Sequence, residues 1–152
     1  MLYIHTKVKA SPIHGLGCFT EEPIAKGALI WKFMSTFDQK LTKEEITSLP
    51  ELAQIYLATY AYKSKKTGLY ILAADNAKYF NHSTEPNSET KFETNEDEDV
   101  TYALRDIKAG EEMTIDYSSF ENNYGTEENA LEEIFKTYNL TDEVDPRLKP
   151  TS

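Results

Sequence analysis

Short strand-like segments separated by glycine and proline are the feature that most limits how this chain can fold. Segments 29–34, 68–72 and 100–104 are rich in β-branched, aromatic and aliphatic residues over lengths typical of strands. Segment 112–117 alternates apolar and polar residues with a period of two. The pattern predicts a mostly β domain with a few helices, an α+β fold built from small sheets.

Two helical regions interrupt these strands. Thr42 and Glu45 have the spacing of a capping box, so a helix is expected to begin after Thr42 and to stop before Pro50. A second turn or helix then resumes through 52–56. Near the C-terminus, apolar residues recur with helical spacing at Leu131, Ile134, Phe135 and Tyr138.

The C-terminal helix has charges that favour its two ends. Glu127 and Glu128 are expected in its first turn and Lys136 in its last, where each charge complements the helix dipole. Segment 141–152 is expected to be weakly ordered.

Length and cysteine content fit one intracellular domain without metal. A chain of 152 residues buries roughly 68–70% of its unfolded surface, so a core forms without disulfides. Cys18 is the single cysteine, which excludes an internal disulfide and a Cys-rich zinc site. No apolar run approaches the ~20 residues that span a bilayer, and the N-terminus is too polar for a signal peptide. A soluble intracellular location, cytoplasmic or nuclear, is expected.

The charge of the chain favours a basic partner over nucleic acid. Sixteen basic and twenty-six acidic residues give a net charge of −10, which argues against direct binding to phosphates. The acidic residues concentrate in segments 85–99 and 121–145. These clusters are either solvated faces or surfaces that attract a lysine-rich protein.

Three short motifs carry the candidate chemistry. Segment 13–19 contains Gly15 and Gly17, which allow the backbone to approach a ligand closely, although Gly-x-Gly alone is typical of a hairpin turn. Segment 78–87 contains Asn-His-Ser followed by Pro-Asn, and segment 110–117 ends an alternating strand in a tyrosine. Each motif by itself is compatible with an ordinary turn or packing residue.

Together and in this order, the motifs resemble the SET-domain family of protein lysine methyltransferases, from about Lys7 to Tyr117. The family pattern Arg-Phe-x-Asn-His-Ser-Cys-x-Pro-Asn is matched within 78–87, with Lys, Tyr and Thr replacing its Arg, Phe and Cys. The chain lacks the Cys-rich zinc tail of many members, so no zinc is expected. Its size resembles that of compact viral and bacterial members, some of which form homodimers.

The resemblance implies a reaction and an architecture. Members transfer a methyl group from S-adenosylmethionine to a lysine side chain, so a lysine-rich, histone-like protein substrate is expected. The family threads its C-terminal segment beneath an earlier loop as a pseudoknot. A SET domain is therefore expected over 1–118, with segment 119–152 completing the cofactor and substrate site through Phe120, Tyr124 or the C-terminal helix.

The resemblance also assigns site residues. Tyr117 matches the catalytic tyrosine, Tyr60 (or Tyr62) a tyrosine between cofactor and substrate, and Phe33 a position that is often a channel tyrosine. The expected cofactor-binding residues are His14, Gly15, Leu16, Gly17, Tyr60, Lys78, Tyr79, Asn81, His82, Tyr117 and Phe120. Ile115 stands where a Phe or Tyr influences the number of methyl groups added; it favours higher methylation and leaves the degree open.

Two other functions compete with this hypothesis. The chain is alternatively an inactive SET fold that docks a basic partner, an idea supported by Phe33 and Lys78 but opposed by the retention of Asn81, His82 and Tyr117. A nucleophile pair of Cys18 and His82 rests on residue type alone.

Overall fold

The computed structural model of the protein describes residues 1–120 and 129–140. In this part of the chain the strands are β1 (Thr6–Ala10), β2 (Leu16–Thr20), β3 (Leu29–Trp31), β4 (Gln39–Leu41), β5 (Tyr62–Lys63), β6 (Tyr70–Leu72), β7 (Asn81–His82), β8 (Ser88–Lys91), β9 (Val100–Ala103) and β10 (Thr114–Ile115). The helices are α1 (Lys43–Thr47), α2 (Glu51–Tyr60) and α3 (Ala130–Thr137).

The strands form three small sheets, which confirms the predicted mostly β fold with a few helices. Strands β1 and β2 pair as an antiparallel hairpin. The largest sheet has the order β3-β9-β8-β10-β7, and a third sheet has the order β4-β6-β5. None of the helices in the described part of the chain is long and apolar enough to cross a membrane.

Strand β10 lies between two strands that are consecutive in the chain. It pairs in parallel with β7 on one side and with β8 on the other. The connection 83–87 joins β7 to β8 and must therefore pass over β10. This arrangement is the threaded C-terminal segment that the family resemblance implied.

Asn87 holds the inserted strand with both ends of its side-chain amide. Its Nδ2 donates to the carbonyl of Glu112 at 2.7 Å, and its Oδ1 accepts from the amide of Thr114 at 2.9 Å. The hydroxyl of Ser88 also donates to the carbonyl of Thr114 at 2.6 Å. Asn87 is 2% exposed, so its side-chain amide supplies buried hydrogen bonds to the backbone of the inserted segment.

The alternating segment 112–117 forms a shorter strand than its pattern predicts. The amide of Met113 donates to the carbonyl of Cys18 at 2.7 Å, so the start of the segment bonds to β2 and not to the strands that flank β10. After Ile115 the chain enters a 3-10 turn, Tyr117–Ser119, which the carboxylate of Asp116 caps. Long-range pairing at one end and a local cap at the other reduce the strand to two residues.

The first two helices follow the sequence prediction. Thr42 and Glu45 form the reciprocal capping box, with hydrogen bonds of 2.8 and 3.2 Å. Helix α1 ends before Pro50, and α2 begins directly after it at Glu51. The local sequence signals therefore determine these boundaries.

Helix α3 has the predicted apolar face but a different N-terminus. Asn129 caps the helix through its side-chain oxygen, so the acidic residues of the first turn are Glu132 and Glu133. Glu127, Glu128, Tyr124 and segment 141–152 lie outside the described residues. The apolar face packs in a core cluster with α2 and β6, whose buried residues include Ile46, Leu57, Ala58, Tyr70, Leu131, Ile134 and Phe135.

The acidic segment 85–99 contains a buried structural carboxylate. Glu98 is 2% exposed and accepts from the hydroxyls of Ser64 at 2.5 Å and Thr67 at 2.7 Å. Lys40 forms an ion pair with it at 3.0 Å. For Glu98 both sequence interpretations, a solvated face and a docking surface, are therefore wrong, because the carboxylate anchors the β8–β9 loop to the β5–β6 loop.

Replacing Glu98 by Gln is expected to lower the free energy of unfolding by about 2 kcal/mol. The glutamine side chain is neutral, so the Lys40 ammonium loses its counter-charge. The glutamine NH2 group also cannot accept the hydrogen bond that one of the two hydroxyls donates to the carboxylate. Urea denaturation would measure the change, with Asp97→Asn, an exposed neighbour, as the matched control. Equal stability of the two variants would contradict this role of Glu98.

Candidate active site

A cavity of about 410 Å³ is lined by residues from all five strands of the largest sheet. Each strand contributes a residue to its lining, in the strand order Trp31, Thr101, Thr90, Ile115 and Asn81. Neighbouring strands lie about 4.8 Å apart, so the lining extends roughly 19 Å from β3 to β7. The cavity therefore has one end at the β7 edge and another at the β3 edge.

Most of the predicted site residues meet at this cavity. Its lining includes His14, Gly15, Leu16, Tyr60, Lys78, Tyr79, Asn81, Tyr117 and Phe120. These residues come from distant parts of the chain, and the insertion of β10 beside β7 brings Tyr117 to Asn81. Gly17, His82 and Phe33 do not line the cavity.

Asn81 joins the β1–β2 turn to the sheet. Its Nδ2 donates to the carbonyls of His14 at 3.1 Å and Leu16 at 3.2 Å, and to Oε1 of Glu112 at 2.7 Å. An amide nitrogen has two hydrogens, so these protein contacts use all its donor capacity. In residues 1–120 and 129–140 the Oδ1 of Asn81 accepts no side-chain hydrogen bond, so this atom can meet a ligand.

Gly17 makes room for the carboxylate that receives Asn81. Glu112 also accepts from the hydroxyl of Ser11 at 2.7 and 2.9 Å, so its position is fixed from two sides. A Cβ at Gly17 would lie 2.8 Å from the Glu112 Cδ and overlap the carboxylate oxygen. The glycine is thus required by packing behind the turn rather than by a ligand.

His82 supports Tyr117 from outside the cavity. Its Nδ1 accepts from the backbone amide of Tyr117 at 3.2 Å, and the two rings lie 5.3 Å apart. Because Nδ1 acts as an acceptor here, it carries no proton in this arrangement. The predicted contact of the His82 backbone with the adenine ring stays a prediction.

Tyr117 is held in one orientation at the cavity wall. It is 9% exposed, and its hydroxyl donates to the carbonyl of Phe80 at 2.5 Å. The ring of Phe120 lies edge-on to Tyr117 at 5.9 Å and to Tyr62 at 4.8 Å. These aromatic rings form a largely apolar wall beside the oriented hydroxyl of Tyr117.

Lys78 lies among three tyrosines near the β7 end of the cavity. Its Nζ donates to the hydroxyl of Tyr56 at 2.8 Å and lies 5.5–6.0 Å from the ring centroids of Tyr56, Tyr60 and Tyr79. Burial also raises the pKa of Tyr60, which keeps its hydroxyl protonated at neutral pH. The lysine thus places a fixed positive charge at this end.

Phe33 lies outside the cavity lining, so its predicted place beside the substrate lysine stays a prediction, whereas Cys18 is not available as a nucleophile. Phe33 packs against the core, with the Lys40 ammonium 4.7 Å from its ring centroid, and Trp31 lines the cavity in its place. Cys18 is fully buried, and burial raises the pKa of its thiol to about 12. A thiol of this kind is not a nucleophile at neutral pH, so the pairing of Cys18 with His82 is wrong.

The β3 end of the cavity contains residues that sequence reasoning missed. Trp31, Thr90, Asp99 and Thr101 line it. Their only signal is the register of three strands, in which Thr101 lies beside both Trp31 and Thr90. Burial raises the pKa of Asp99 above its usual value, and the charge of Lys66 only partly opposes the rise.

Metal ligands are not gathered in residues 1–120 and 129–140. No group of three or more His, Cys, Asp or Glu side chains in this part of the chain could hold a metal ion. The site chemistry available there consists of an oriented tyrosine, an amide oxygen, a lysine and an unpaired carboxylate.

Comparison with known proteins identifies related sequences and folds. The family model for the SET domain matches residues 15–118. A protein of Yarrowia lipolytica named histone-lysine N-methyltransferase, H3 lysine-4 specific, is 30% identical over 135 residues, which cover 80% of this chain. The chain spans only 10% of the length of that curated relative.

Solved structures share the fold at lower identity. A candidate histone methyltransferase of Plasmodium falciparum is 22% identical with a TM-score of 0.53, covering 83% of this chain and 97% of that one. A Polycomb Repressive Complex 2 from Chaetomium thermophilum, a humanized mutant bound to an inhibitor, is 21% identical with a TM-score of 0.58. That match covers 78% of this chain and 16% of the other.

Gly17→Ala is expected to lower the free energy of unfolding by about 1–2 kcal/mol, because the new methyl group displaces Glu112 from Asn81 and Ser11. A double-mutant cycle with Glu112→Ala isolates the cause. In the Glu112→Ala background the carboxylate is gone, so adding Gly17→Ala should cost little. An equal cost in both backgrounds, measured by denaturant unfolding, would refute the packing explanation.

Proposed function

The chain belongs to the SET-domain family, and on that premise we propose that it transfers a methyl group from S-adenosylmethionine to a lysine side chain of a protein. The observation that carries the proposal is the single cavity lined by the β1–β2 turn, segment 78–81 and Tyr117. These three parts are the motifs on which the family resemblance rests. Their meeting in one cavity supports a shared task.

The β7 end of the cavity fits the amino-acid part of the cofactor. The free Oδ1 of Asn81 accepts hydrogen bonds, which suits an ammonium group, and the Lys78 ammonium suits a carboxylate. Gly15 leaves the backbone of the turn open beside them. The aromatic rings of Tyr60, Tyr79 and Phe120 provide apolar surface for the rest of the molecule. When bound, S-adenosylmethionine supplies an activated methyl group on a positively charged sulfur.

The aromatic wall prepares the substrate amine. A free lysine has a pKa of ~10.4 and is almost fully protonated at neutral pH. The apolar lining of Tyr62, Ile115 and Phe120 excludes water, and burial of this kind lowers the pKa of an amine. The residues that hold the lysine therefore also favour its neutral, nucleophilic form.

Tyr117 orients the reacting groups. Its hydroxyl is fixed by the Phe80 carbonyl, and its backbone amide is held by His82. A tyrosine with a pKa near ~10 is a weak base at neutral pH, so its role is placement rather than proton removal. Correct alignment of two reactants can contribute about 7–11 kcal/mol to lowering a barrier.

The substrate class that we propose is a basic, histone-like protein segment. The net charge of −10 favours encounter with a lysine-rich partner. The Yarrowia relative is named as a histone-lysine methyltransferase, and the Plasmodium falciparum fold neighbour is named as a candidate histone methyltransferase. Both names agree with this substrate class. Ile115 lines the cavity without adding a hydroxyl, which supports addition of more than one methyl group.

Replacing Tyr117 by Phe is expected to reduce methyl transfer by at least about 100-fold, because the hydroxyl that orients the reacting groups is lost. Transfer of labelled methyl from S-adenosylmethionine to mixed histones and a basic-protein extract would measure the loss. Tyr102→Phe is the matched control, since its hydroxyl bonds to Glu93 and its ring does not line the cavity.

Cofactor binding separates this proposal from a docking module. Wild-type protein that binds S-adenosylmethionine in calorimetry and labels lysine supports the enzyme. Protein that neither labels any substrate nor binds the cofactor would favour an inactive SET fold that docks basic partners. Equal loss of activity in Tyr102→Phe would indicate damage to the fold instead of the site.

A further inference from the structure

Two buried polar atoms at the β3 end of the cavity have no hydrogen-bond partner among the residues that the structure describes. They are the indole Nε1 of Trp31 and the carboxylate Oδ1 of Asp99, and both residues line the cavity. Trp31 is 5% exposed, so water does not readily compensate for the missing bonds. A buried polar group without a partner costs free energy until a ligand satisfies it, which makes this pair a candidate binding site.

Asp99 has no ion pair within the described residues, in contrast to Glu96 and Glu98 in the same loop. Glu98 binds Lys40, and Glu96 binds Lys32 at 2.6 Å. The nearby Lys66 donates instead to the backbone carbonyls of residues 93 and 96, at 2.5 and 2.6 Å. The carboxylate of Asp99 therefore lines the cavity without a direct ion pair in the described part of the chain, and the charge of Lys66 acts on it only at longer range.

The strand register separates Asp99 from Tyr117. Ile115 lies beside Ser88 of β8, and Tyr117 follows two residues later in the 3-10 turn beyond the end of β10. Thr101 lies opposite Thr90, and Asp99 is two residues before it. Strand β8 lies between β10 and β9, so two strand spacings, roughly 9–10 Å, separate the strand that leads to Tyr117 from the strand that follows Asp99. The Tyr117 hydroxyl points still further away, to Phe80.

This separation is too large for one lysine side chain to reach both groups. An extended peptide advances about 3.3 Å per residue, so a residue near the target lysine reaches Asp99 while the target reaches Tyr117. A peptide also offers the two groups that the β3 end lacks. A cationic side chain pairs with the carboxylate, and a backbone carbonyl accepts from the indole N–H.

We propose that Asp99 and Trp31 form a specificity subsite for a basic residue that flanks the target lysine. The inference rests on the proposed function and adds sequence selectivity to it. Arginine suits the subsite best, because its planar guanidinium binds a carboxylate through two hydrogen bonds and stacks on an aromatic face. Thr90 and Thr101 complete the lining with hydroxyl groups that can bind the remaining guanidinium hydrogens.

The test uses the full chain with S-adenosylhomocysteine and fluorescent peptides that contain one central lysine. Each of the two positions on either side of the lysine is varied in turn among Arg, Gln and Glu. Anisotropy then gives affinities for wild type, Asp99→Asn, Asp99→Lys and the control Asp97→Asn, which removes an exposed charge from the same loop. Calorimetry with the cofactor alone is run on each protein.

Wild type and Asp97→Asn are expected to prefer Arg over Gln about tenfold at one flanking position. Asp99→Asn should lose that preference, and Asp99→Lys should prefer Glu there. Both Asp99 variants should bind the cofactor normally, and Asp99→Asn should keep or raise the Tm because it removes an unpaired buried charge.

Other outcomes overturn the inference. They are an unchanged preference in Asp99→Asn, an equal loss in Asp97→Asn, no charge preference at any flanking position, or no binding of any peptide while the cofactor binds. Failure of the wild type to bind the cofactor would instead overturn the proposed function, and this inference with it.

Discussion

The cavity depends on one strand lying between two others. Strand β10 separates β7 from β8, and the side-chain amide of Asn87 binds the backbone of Glu112 and Thr114 at the start of this insertion. Without this insertion, Tyr117 would not lie beside Asn81, and the aromatic wall would lose its oriented hydroxyl. The chemistry of the site is therefore a product of chain topology as much as of residue type.

The motif residues form many of their hydrogen bonds with other groups of the protein. Asn81 uses its donors on the β1–β2 turn and Glu112, and His82 uses its imidazole on the backbone of Tyr117. These contacts fix the positions of the groups that remain free, chiefly the Asn81 Oδ1. The same residues thus serve stability and ligand binding, and the two roles are not alternatives.

Sequence reasoning succeeded where the signal was local. The Thr42 capping box and the apolar stripe of α3 lie within a few residues of one another, and both helices formed as expected. It failed where contacts between distant parts of the chain determine the local structure. Examples are the length of strand β10 and the burial of Glu98 among residues far away in sequence. Trp31 and Asp99 were missed for the same reason, since only sheet register brings them to one cavity.

The position of β10 also governs the order in which this protein can fold. A parallel strand that fits between β7 and β8 joins the sheet only after the chain beyond residue 115 is available. Its pairing partners lie about thirty residues earlier, and β3 and β9 lie further apart still. Contacts of such long sequence separation slow folding, because loop closure costs entropy before pairing compensates it. Until β10 is in place, the strand edges of β7 and β8 that it occupies lack this partner, and the cavity lacks the wall that Ile115 and Tyr117 form.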